Sequence, residues 1–234
     1  MKNAKPENGL INLNMDFSKK VILDTADLPW SPSSLSGVER RKLERQNAES
    51  GHATSIVRYA PGSQFSPHIH SGGEEYLVLE GVFSDETGDY GKGCYVRNPP
   101  GSRHTPSSQQ GCTIFVKLCQ MLPQGEPQIN VDTNMRDWEP IKEGWFIMPL
   151  FENAQETVRL NKLQPDQDSG QQTYPRGMEI LLLSGDLSIN GEMFTPQTWG
   201  RFPPGAVLKL ESTAGCTFWS KQGHLNLTDT LKTS

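Results

Sequence analysis

Residues 61–81 read PGSQFSPHIHSGGEEYLVLEG, and this stretch decides the fold that we expect for the chain. Its two histidines, His68 and His70, stand two positions apart, so on a strand both imidazoles point to the same side. The Ser71-Gly72-Gly73 segment predicts a turn that brings Glu74 back toward the pair. An apolar run follows Glu74 and predicts a second strand. The pattern therefore predicts two strands and a turn that carry metal-ligating side chains.

A third histidine extends this candidate site. His104 follows Asn98-Pro99-Pro100-Gly101-Ser102-Arg103, in which the prolines restrict φ and the glycine permits a tight turn. Three neutral imidazoles and one carboxylate suit Zn²⁺, Fe²⁺, Mn²⁺ or Ni²⁺ and leave room for water or a substrate. Glu75 competes with Glu74 for the carboxylate role, but the spacing to His70 favours Glu74. We expect one divalent transition-metal ion per chain, zinc before iron, nickel or manganese, bound by His68, His70, Glu74 and His104.

The chain contains an internal repeat. Residues 73–117 align without a gap on residues 177–221, at an offset of 104 residues. Shared landmarks include Gly81 with Gly185 and the Pro-Pro-Gly segments that begin at Pro99 and Pro203. The four expected ligand positions fall in the second copy on side chains that cannot balance the charge of a divalent ion, namely Gln172, Tyr174, Met178 and Leu208. The sequence therefore predicts four segments: an N-terminal extension over 1–29, a metal-binding domain over 30–125, a linker over 126–137, and a degenerate domain without metal ligands over 138–234.

Strands account for most of the expected secondary structure. With 22 Gly and 17 Pro, the composition argues against a helical bundle. Short apolar runs bounded by turn residues predict an all-β chain built as antiparallel sandwiches or jelly rolls. Residues 38–49, VERRKLERQNAE, are ambiguous because their charges also suit a solvated helix. We expect a strand there, paired with ATSIVRYA at 53–60 across a turn at Gly51.

Several classes of protein are excluded by composition. The chain has 22 Lys and Arg against 27 Asp and Glu and no basic run, which argues against a nucleic-acid partner. It has neither the apolar core of a secretion signal in its first residues nor an apolar run near 18 residues, so we expect no membrane association and a cytoplasmic location. Four cysteines without a C-x-x-C pair predict buried thiols rather than a disulfide scaffold. His52 and His224 are assigned to the surface or to local hydrogen bonds.

The motifs resemble those of cupins. The pattern Gly62-x5-His68-x-His70-x3-Glu74-x6-Gly81 fits the first cupin motif, and Gly93-x5-Pro99-x-Gly101-x2-His104 fits the second, with Ser108 where the motif usually ends in Asn. Together with FSDE at 83–86 and RNPPG at 97–101, the match narrows to ChrR-like cupins. This resemblance implies a bicupin: two tandem cupin jelly-roll β-sandwich or barrel domains, with a metal at the mouth of the first.

The resemblance also bears on function. ChrR is a zinc-binding anti-sigma factor whose cupin half takes part in the response to reactive oxygen species, while a separate helical domain with His and Cys ligands holds the sigma factor. No cysteine precedes Cys94 here, so binding of a sigma factor is not expected. We expect a small-molecule- or oxidant-sensing regulatory protein; the alternative is a metal-dependent dioxygenase that cleaves dicarbonyl or phenolic compounds. The sequence selects no catalytic residue, leaves enzyme and sensor open, and is compatible with a monomer or a homodimer.

Overall fold

The fold is that of a computed structural model, which describes residues 10–47, 50–122 and 126–226. The described residues form strands and three short 3₁₀ turns, at Thr25–Asp27, Thr133–Met135 and His224–Asn226, and contain no α-helix. The prediction of an all-β chain is therefore confirmed. The strands in the first part are β1 Leu10–Leu13, β2 Val21–Asp24, β3 Ser31–Pro32, β4 Val38–Asn47, β5 Ala53–Tyr59, β6 Ser63–Gln64, β7 His68–Ile69, β8 Glu74–Asp85, β9 Gly88–Gly91, β10 Cys94–Asn98, β11 Arg103–His104, β12 Ser107–Ser108 and β13 Cys112–Leu118. Those in the second part are β14 Ile129–Asp132, β15 Glu139–Lys142, β16 Trp145–Glu152, β17 Thr157–Leu163, β18 Gln167–Tyr174, β19 Met178–Gly185, β20 Leu187–Ile189, β21 Glu192–Phe194, β22 Thr198–Phe202, β23 Ala206–Ser212 and β24 Cys216–Gln222.

The chain divides into two compact units. Unit 1 takes the described residues of 1–15 and 29–130, and unit 2 takes those of 16–28 and 131–234. In unit 1 the main path of the larger sheet is β1-β4-β5-β13-β8-β10-β14, and β7 pairs with β11 in a separate two-stranded sheet. In unit 2 the larger sheet has the order β15-β16-β17-β24-β19-β22-β2, and the smaller sheet has the order β18-β23-β20-β21.

The two units repeat the same strand register. In unit 1, His104 of β11 pairs with His68 of β7. In unit 2, Leu208 of β23 pairs with Gln172 of β18, which is the same pair displaced by 104 residues. The offset found in the sequence is therefore also the offset of the folded pairs.

A glycine at the same place in each unit permits a close approach of two strands. Gly81 has φ +72°, and a Cβ built on it would lie 2.1 Å from the carbonyl oxygen of Gly111. Gly185 has φ +82°, and its Cβ would lie 1.9 Å from the carbonyl oxygen of Gly215. Both positions require glycine because a side chain meets backbone that cannot move aside. This explains why the repeat retains them.

Each unit has its own apolar core. Alternate residues of β13, including Ile114 and Val116, pack with Val78 and Val96 in unit 1. The core of unit 2 is formed by the described side chains Trp145, Leu163, Tyr174, Met178, Ile180, Leu182, Leu187, Ile189, Phe194, Phe202, Leu208, Leu210, Cys216 and Phe218. Burial of these side chains provides the main driving force for folding of each unit.

The ambiguous segment 38–49 is a strand as far as it is described. β4 covers Val38–Asn47 and pairs antiparallel with β5, so the expected pairing across the Gly51 turn is confirmed. Residues 48 and 49 lie outside the described residues. Two contacts of β4 favour the strand over the helix that its charged residues would suit. Leu43 is fully buried, and the guanidinium of Arg41 packs over the Trp30 ring, 4.4 Å from its centroid.

The segments predicted as extension and linker carry regular structure. Within residues 1–29, β1 belongs to unit 1 and β2 to unit 2, where β2 pairs with β22. Within residues 126–137 the chain forms β14 and the 3₁₀ turn Thr133–Met135. No helix in the described part of the chain has the length and apolar character needed to cross a membrane.

Candidate metal centre

Three short elements of unit 1 bring the candidate ligands together. His68 lies on β7, His104 lies opposite it on β11, and Glu74 begins β8. His70 lies in the loop between them, where its carbonyl oxygen accepts hydrogen bonds from the amides of Gly73, at 3.2 Å, and Gly101, at 2.9 Å. The glycines of both motifs therefore hold the loop that carries His70.

The imidazoles of His68, His70 and His104 form a compact cluster. Their ligand nitrogens all lie within 4.8 Å of one another, and no other His, Cys, Asp and Glu group in the described residues meets this criterion. The Nε2 atoms of His70 and His104 are 2.9 Å apart. His70 and His104 are 7% and 4% exposed, whereas His68 is more exposed. Three imidazoles in this arrangement can hold a metal ion.

The separation of the two buried nitrogens fits a shared ion. Nitrogen ligands lie about 2.1 Å from a transition metal, so two of them at right angles are about 3.0 Å apart. The 2.9 Å between the Nε2 atoms of His70 and His104 agrees with this geometry. Two nitrogen lone pairs this close repel each other unless a proton or a metal ion lies between them. The residues present therefore fit a bound metal.

The carboxylate of Glu74 adjoins two of the three imidazoles. Its Oε2 lies 3.5 Å from Nε2 of both His70 and His104, and the residue is 6% exposed. Asn98 Nδ2 donates a hydrogen bond to the same oxygen, at 3.1 Å. Glu74 therefore lies beside the cluster, but it is not part of the group of ligand atoms that lie within 4.8 Å of one another. Its role as a ligand stays a prediction.

Neighbouring acceptors select which nitrogen of two histidines faces the cluster. Asp85 Oδ2 lies 3.2 Å from Nδ1 of His104, and the carbonyl oxygen of Ser66 lies 3.1 Å from Nδ1 of His68. Both acceptors favour a proton on Nδ1, which leaves the lone pair of Nε2 available. The sequence pattern predicted no role for Asp85 or Asn98, although both lie in segments that supported the resemblance, FSDE at 83–86 and RNPPG at 97–101.

Electrostatics distinguishes the two buried histidines. Burial lowers the pKa of His70 below 6.5, although the negative charge of Glu74 acts in the opposite direction. Burial also acts to lower the pKa of His104, but the hydrogen bond to Asp85 and the charge of Glu74 outweigh it and raise this pKa. Burial acts to raise the pKa of Asp85, but the hydrogen bonds from His104 and Thr87 lower it to about 2. Asp85 is therefore ionised at neutral pH.

A cavity of about 310 Å³ opens beside the cluster in unit 1. His68, His70 and Glu74 contribute to its wall, so a molecule in the cavity would contact the candidate metal ligands directly. The remaining wall combines apolar side chains with donors, among them Tyr59, Phe65, Val57, Arg40 and Arg45. The cavity suits a small molecule that carries oxygen atoms toward the histidines.

Glu75 points away from the cluster and has a structural role. Its Oε2 accepts a hydrogen bond from Tyr95 Oη, at 2.7 Å, and from Arg97 Nη1, at 2.9 Å. Its equivalent Glu179 in unit 2 accepts a hydrogen bond from Trp199 Nε1, at 2.7 Å. Alternation along the strand explains this, because Glu74 and Glu75 lie on opposite faces of β8.

The two remaining histidines lie in local pairs. His52 Nε2 is 3.1 Å from Glu44 Oε2, and His224 Nε2 is 2.8 Å from Glu179 Oε2. The prediction of local hydrogen bonding is confirmed for both, but the alternative of a surface position is wrong, because the residues are 7% and 4% exposed. A neighbouring carboxylate makes burial of an imidazole tolerable.

The equivalent positions of unit 2 form no cluster of metal-ligating groups among the described residues. Tyr174, Met178 and Leu208 belong to the apolar core of unit 2. Gln172 donates a hydrogen bond from Nε2 to the carbonyl oxygen of Ser169, at 3.1 Å. These side chains therefore provide packing where unit 1 provides imidazoles.

A family comparison agrees with both units. The model of the ChrR cupin-like domain matches the sequence twice, over residues 18–122 and 126–226. The chain belongs to the ChrR cupin-like domain family. This ChrR-like chain is therefore a bicupin, as the resemblance implied.

Solved structures share the fold of this ChrR-like bicupin at low sequence identity. A candidate dioxygenase from Nostoc punctiforme PCC 73102 is 17% identical, with a TM-score of 0.75 over 87% of this chain and 82% of that one. The protein YlbA from E. coli is 13% identical, with a TM-score of 0.69 over 93% and 95%. A variant of the Bacillus subtilis oxalate decarboxylase is 12% identical, with a TM-score of 0.60 over 86% and 76%. A comparison with curated protein sequences gave no match.

Proposed function

We propose that the chain is a metal-dependent sensing or regulatory bicupin that recognises a small molecule or an oxidant at the first cupin. The observation that carries this proposal is the convergence of His68, His70 and His104 beside a cavity of about 310 Å³. The proposed ligands are these three histidines and Glu74, and the proposed ion is a divalent transition metal, with zinc as the first candidate. A bound ion of this kind would act as a Lewis acid toward an oxygen atom of the ligand.

The surrounding residues prepare the ligands for that role. Asp85 accepts a hydrogen bond from Nδ1 of His104 and so holds Nε2 of this imidazole toward the cluster. Asn98 orients the carboxylate of Glu74 by donating to Oε2. Because these partners are set before any ligand arrives, little ordering has to occur on binding.

The cavity supports recognition of a small oxygen-bearing molecule. Tyr59 and Phe65 provide an aromatic wall, with ring centroids 5.2 Å apart, while Arg40 and Arg45 add positive charge. A molecule with an apolar body and one or two oxygen atoms would direct the oxygen atoms to the histidines and pack its body against the rings. We place this function in the cytoplasm, because all four cysteines are free thiols, as a reducing compartment favours.

The second candidate function is that of a dioxygenase acting on a dicarbonyl or phenolic compound. Its support is the open cavity beside the histidines, together with the shared fold of the candidate dioxygenase from Nostoc punctiforme. In that case Glu74, which borders the same cavity, would accept a proton from the substrate at Oε2. Sensor and enzyme thus use the same side chains and differ in whether the bound molecule is converted.

One experiment separates the two functions. The full chain is purified without an affinity tag and its metal content is measured; it is then loaded with Fe²⁺ or Ni²⁺, and oxygen consumption is followed over a panel of diketones and phenols. Saturable binding without turnover supports the sensing function. Turnover that is lost in His104→Ala would establish the dioxygenase and overturn the purely sensing role, and protein that neither contains nor takes up metal would overturn both.

A further inference from the structure

Unit 2 has a cavity of its own at the place that corresponds to the candidate metal centre. The cavity has a volume of about 290 Å³, and its wall includes Gln172, Tyr174 and Met178. These residues occupy the positions of His68, His70 and Glu74 at the offset of 104 residues. Unit 2 therefore keeps a cavity at this place, although its described side chains there are not those of a metal site.

Among the described residues, the wall of this cavity has positive charge and no carboxylate. Its described lining residues include Lys142 and Arg159 but no Asp or Glu. Lys142 is already engaged, because its Nζ donates a hydrogen bond to the carbonyl oxygen of Asp168, at 2.6 Å. Arg159 is the second cation of this wall, and its Nε is a buried donor without a hydrogen-bond partner among the described residues.

Arg159 lacks a partner among the described residues. Its Nε atom is buried and has no hydrogen-bond partner, and its guanidinium takes part in no ion pair there. Leaving a buried donor without an acceptor destabilises the folded state. An acceptor on a molecule bound in the cavity would remove this cost.

The hydroxyl group of Tyr174 is a second free donor at the same wall. Tyr174 is 8% exposed, and its hydroxyl makes no hydrogen bond to the described residues. Burial raises the pKa of Tyr174, and the charge of Arg159, which lines the same cavity, acts in the opposite direction. The phenol therefore stays protonated at neutral pH and can donate.

The rest of the wall is held in place. Trp145 Nε1 donates to Asn161 Oδ1, at 3.3 Å, and Asn161 Nδ2 donates to Ser220 Oγ, at 2.8 Å. Trp145 and Met178 thus present a fixed apolar surface beside the two donors. A preorganised wall lowers the entropic cost of binding.

We propose that this cavity is a metal-free binding site for a small organic carboxylate. Arg159 forms the ion pair with the carboxylate, and Tyr174 donates a hydrogen bond to it. Trp145 contacts the apolar body of the ligand. A carboxylate matches the planar fork of a single guanidinium, and the apolar wall favours an organic anion over inorganic phosphate.

The test measures the binding of benzoate, which serves as the probe, to the full chain by isothermal titration calorimetry. A chelator first removes any metal from the protein. We expect saturable binding that weakens at least about tenfold in Arg159→Gln, because a charge-assisted hydrogen-bonded pair is lost. Lys162→Gln is the matched control: Lys162 lies on the same strand, is exposed and does not line the cavity, so benzoate affinity should be unchanged. Arg159→Lys should also weaken binding because it keeps the charge but loses the fork, and it provides a second variant if Arg159→Gln fails to fold.

Binding must also persist in the His68→Ala, His70→Ala double variant, which assigns it to unit 2 rather than to the candidate metal centre. Three outcomes overturn the proposal: no saturable benzoate binding, equal affinity in Arg159→Gln and Lys162→Gln, or loss of binding in the double variant. Arg159-dependent binding of inorganic phosphate that excludes benzoate would also overturn the assignment to a carboxylate.

Discussion

Asp85 Oδ2 lies 3.2 Å from Nδ1 of His104, and this contact directs the other imidazole nitrogen toward His70. The carboxylate comes from the far end of β8, eleven positions after Glu74, whose own carboxylate adjoins the same imidazole. One long strand therefore provides both a candidate ligand and the residue that orients another. The arrangement links the first motif to the second through a side chain that neither motif contains.

Metal content tests the candidate ligands. We expect one divalent ion per chain in the wild type, and loss of most of it in the His68→Ala, His70→Ala double variant, because a single remaining imidazole with Glu74 cannot hold the ion tightly. His104→Ala should lower occupancy as well. The measurement is elemental analysis of the purified protein, with His52→Gln as a control that removes a histidine outside the cluster. Unchanged metal content in the double variant would show that the assignment is wrong.

Asp85→Asn should weaken metal binding about 10–100-fold, the usual effect of losing a group that orients a metal-ligating histidine. An amide carries no charge and holds the Nδ1 proton of His104 less firmly. Affinity is measured by competition with a chromogenic chelator. Asp89→Asn, an exposed position on β9, is the control and should match the wild type. Equal affinities for the two variants would argue against the proposed role of Asp85.

The same pair predicts how the stability of the metal-free protein depends on pH. The folded-state pKa of Asp85 is lowered from 3.8 to about 2, so its contribution is present above pH 3.8 and is lost as the pH falls toward 2. The folded-state pKa of His104 is raised above 6.5, so its contribution is present below pH 6.5 and is lost as the pH rises through the raised value. The difference in unfolding free energy between wild type and Asp85→Asn should therefore be largest between about pH 4 and 6.5. A difference that does not vary between pH 3 and 9 would contradict this prediction.

Two glycines of unit 2 have the same φ but different surroundings, so substituting each of them distinguishes the cost of backbone strain from the cost of steric contact. Gly185 and Gly205 both have φ +82°, but a Cβ at Gly205 meets nothing within 4 Å, whereas one at Gly185 lies 1.9 Å from the carbonyl oxygen of Gly215. Gly205→Ala should cost about 1–2 kcal/mol from the left-handed conformation alone. Gly185→Ala should cost several kcal/mol more, because β19 and β24 must move apart. Chemical denaturation compares the two, and equal costs would refute the steric explanation.

The buried ion pair of Glu75 with Arg97 should be sensitive to truncation. Their side chains are 2% and 3% exposed, so Arg97→Met removes a guanidinium from beside a buried carboxylate and should cost about 3–5 kcal/mol. Lys19→Met breaks an exposed pair with Asp16, at 3.0 Å, and should change the stability far less, because water screens this pair. Midpoints of urea unfolding provide the comparison. An Arg97→Met protein as stable as Lys19→Met would show that Glu75 finds another partner.

The sequence alone determined the features of this protein that depend on the order of residues along the chain. Histidines two apart on a strand share a face, prolines and glycines define turns, and an offset of 104 residues relates two copies of one unit. These features depend on neighbours along the chain, so the all-β fold, the tandem repeat and the candidate positions His68, His70, Glu74 and His104 could be read from residue order.

Only the tertiary structure decided the contacts between residues that are distant in sequence. The approach of Asp85 to His104, the hydrogen bond of Asn98 to Glu74 and the isolation of Arg159 all depend on strand register across a sheet, which no local pattern specifies. Burial was equally undetermined for His52, because a polar turn does not reveal that Glu44 lies beneath it. A buried polar group is stable only with its partner, and folding of the whole unit selects that partner.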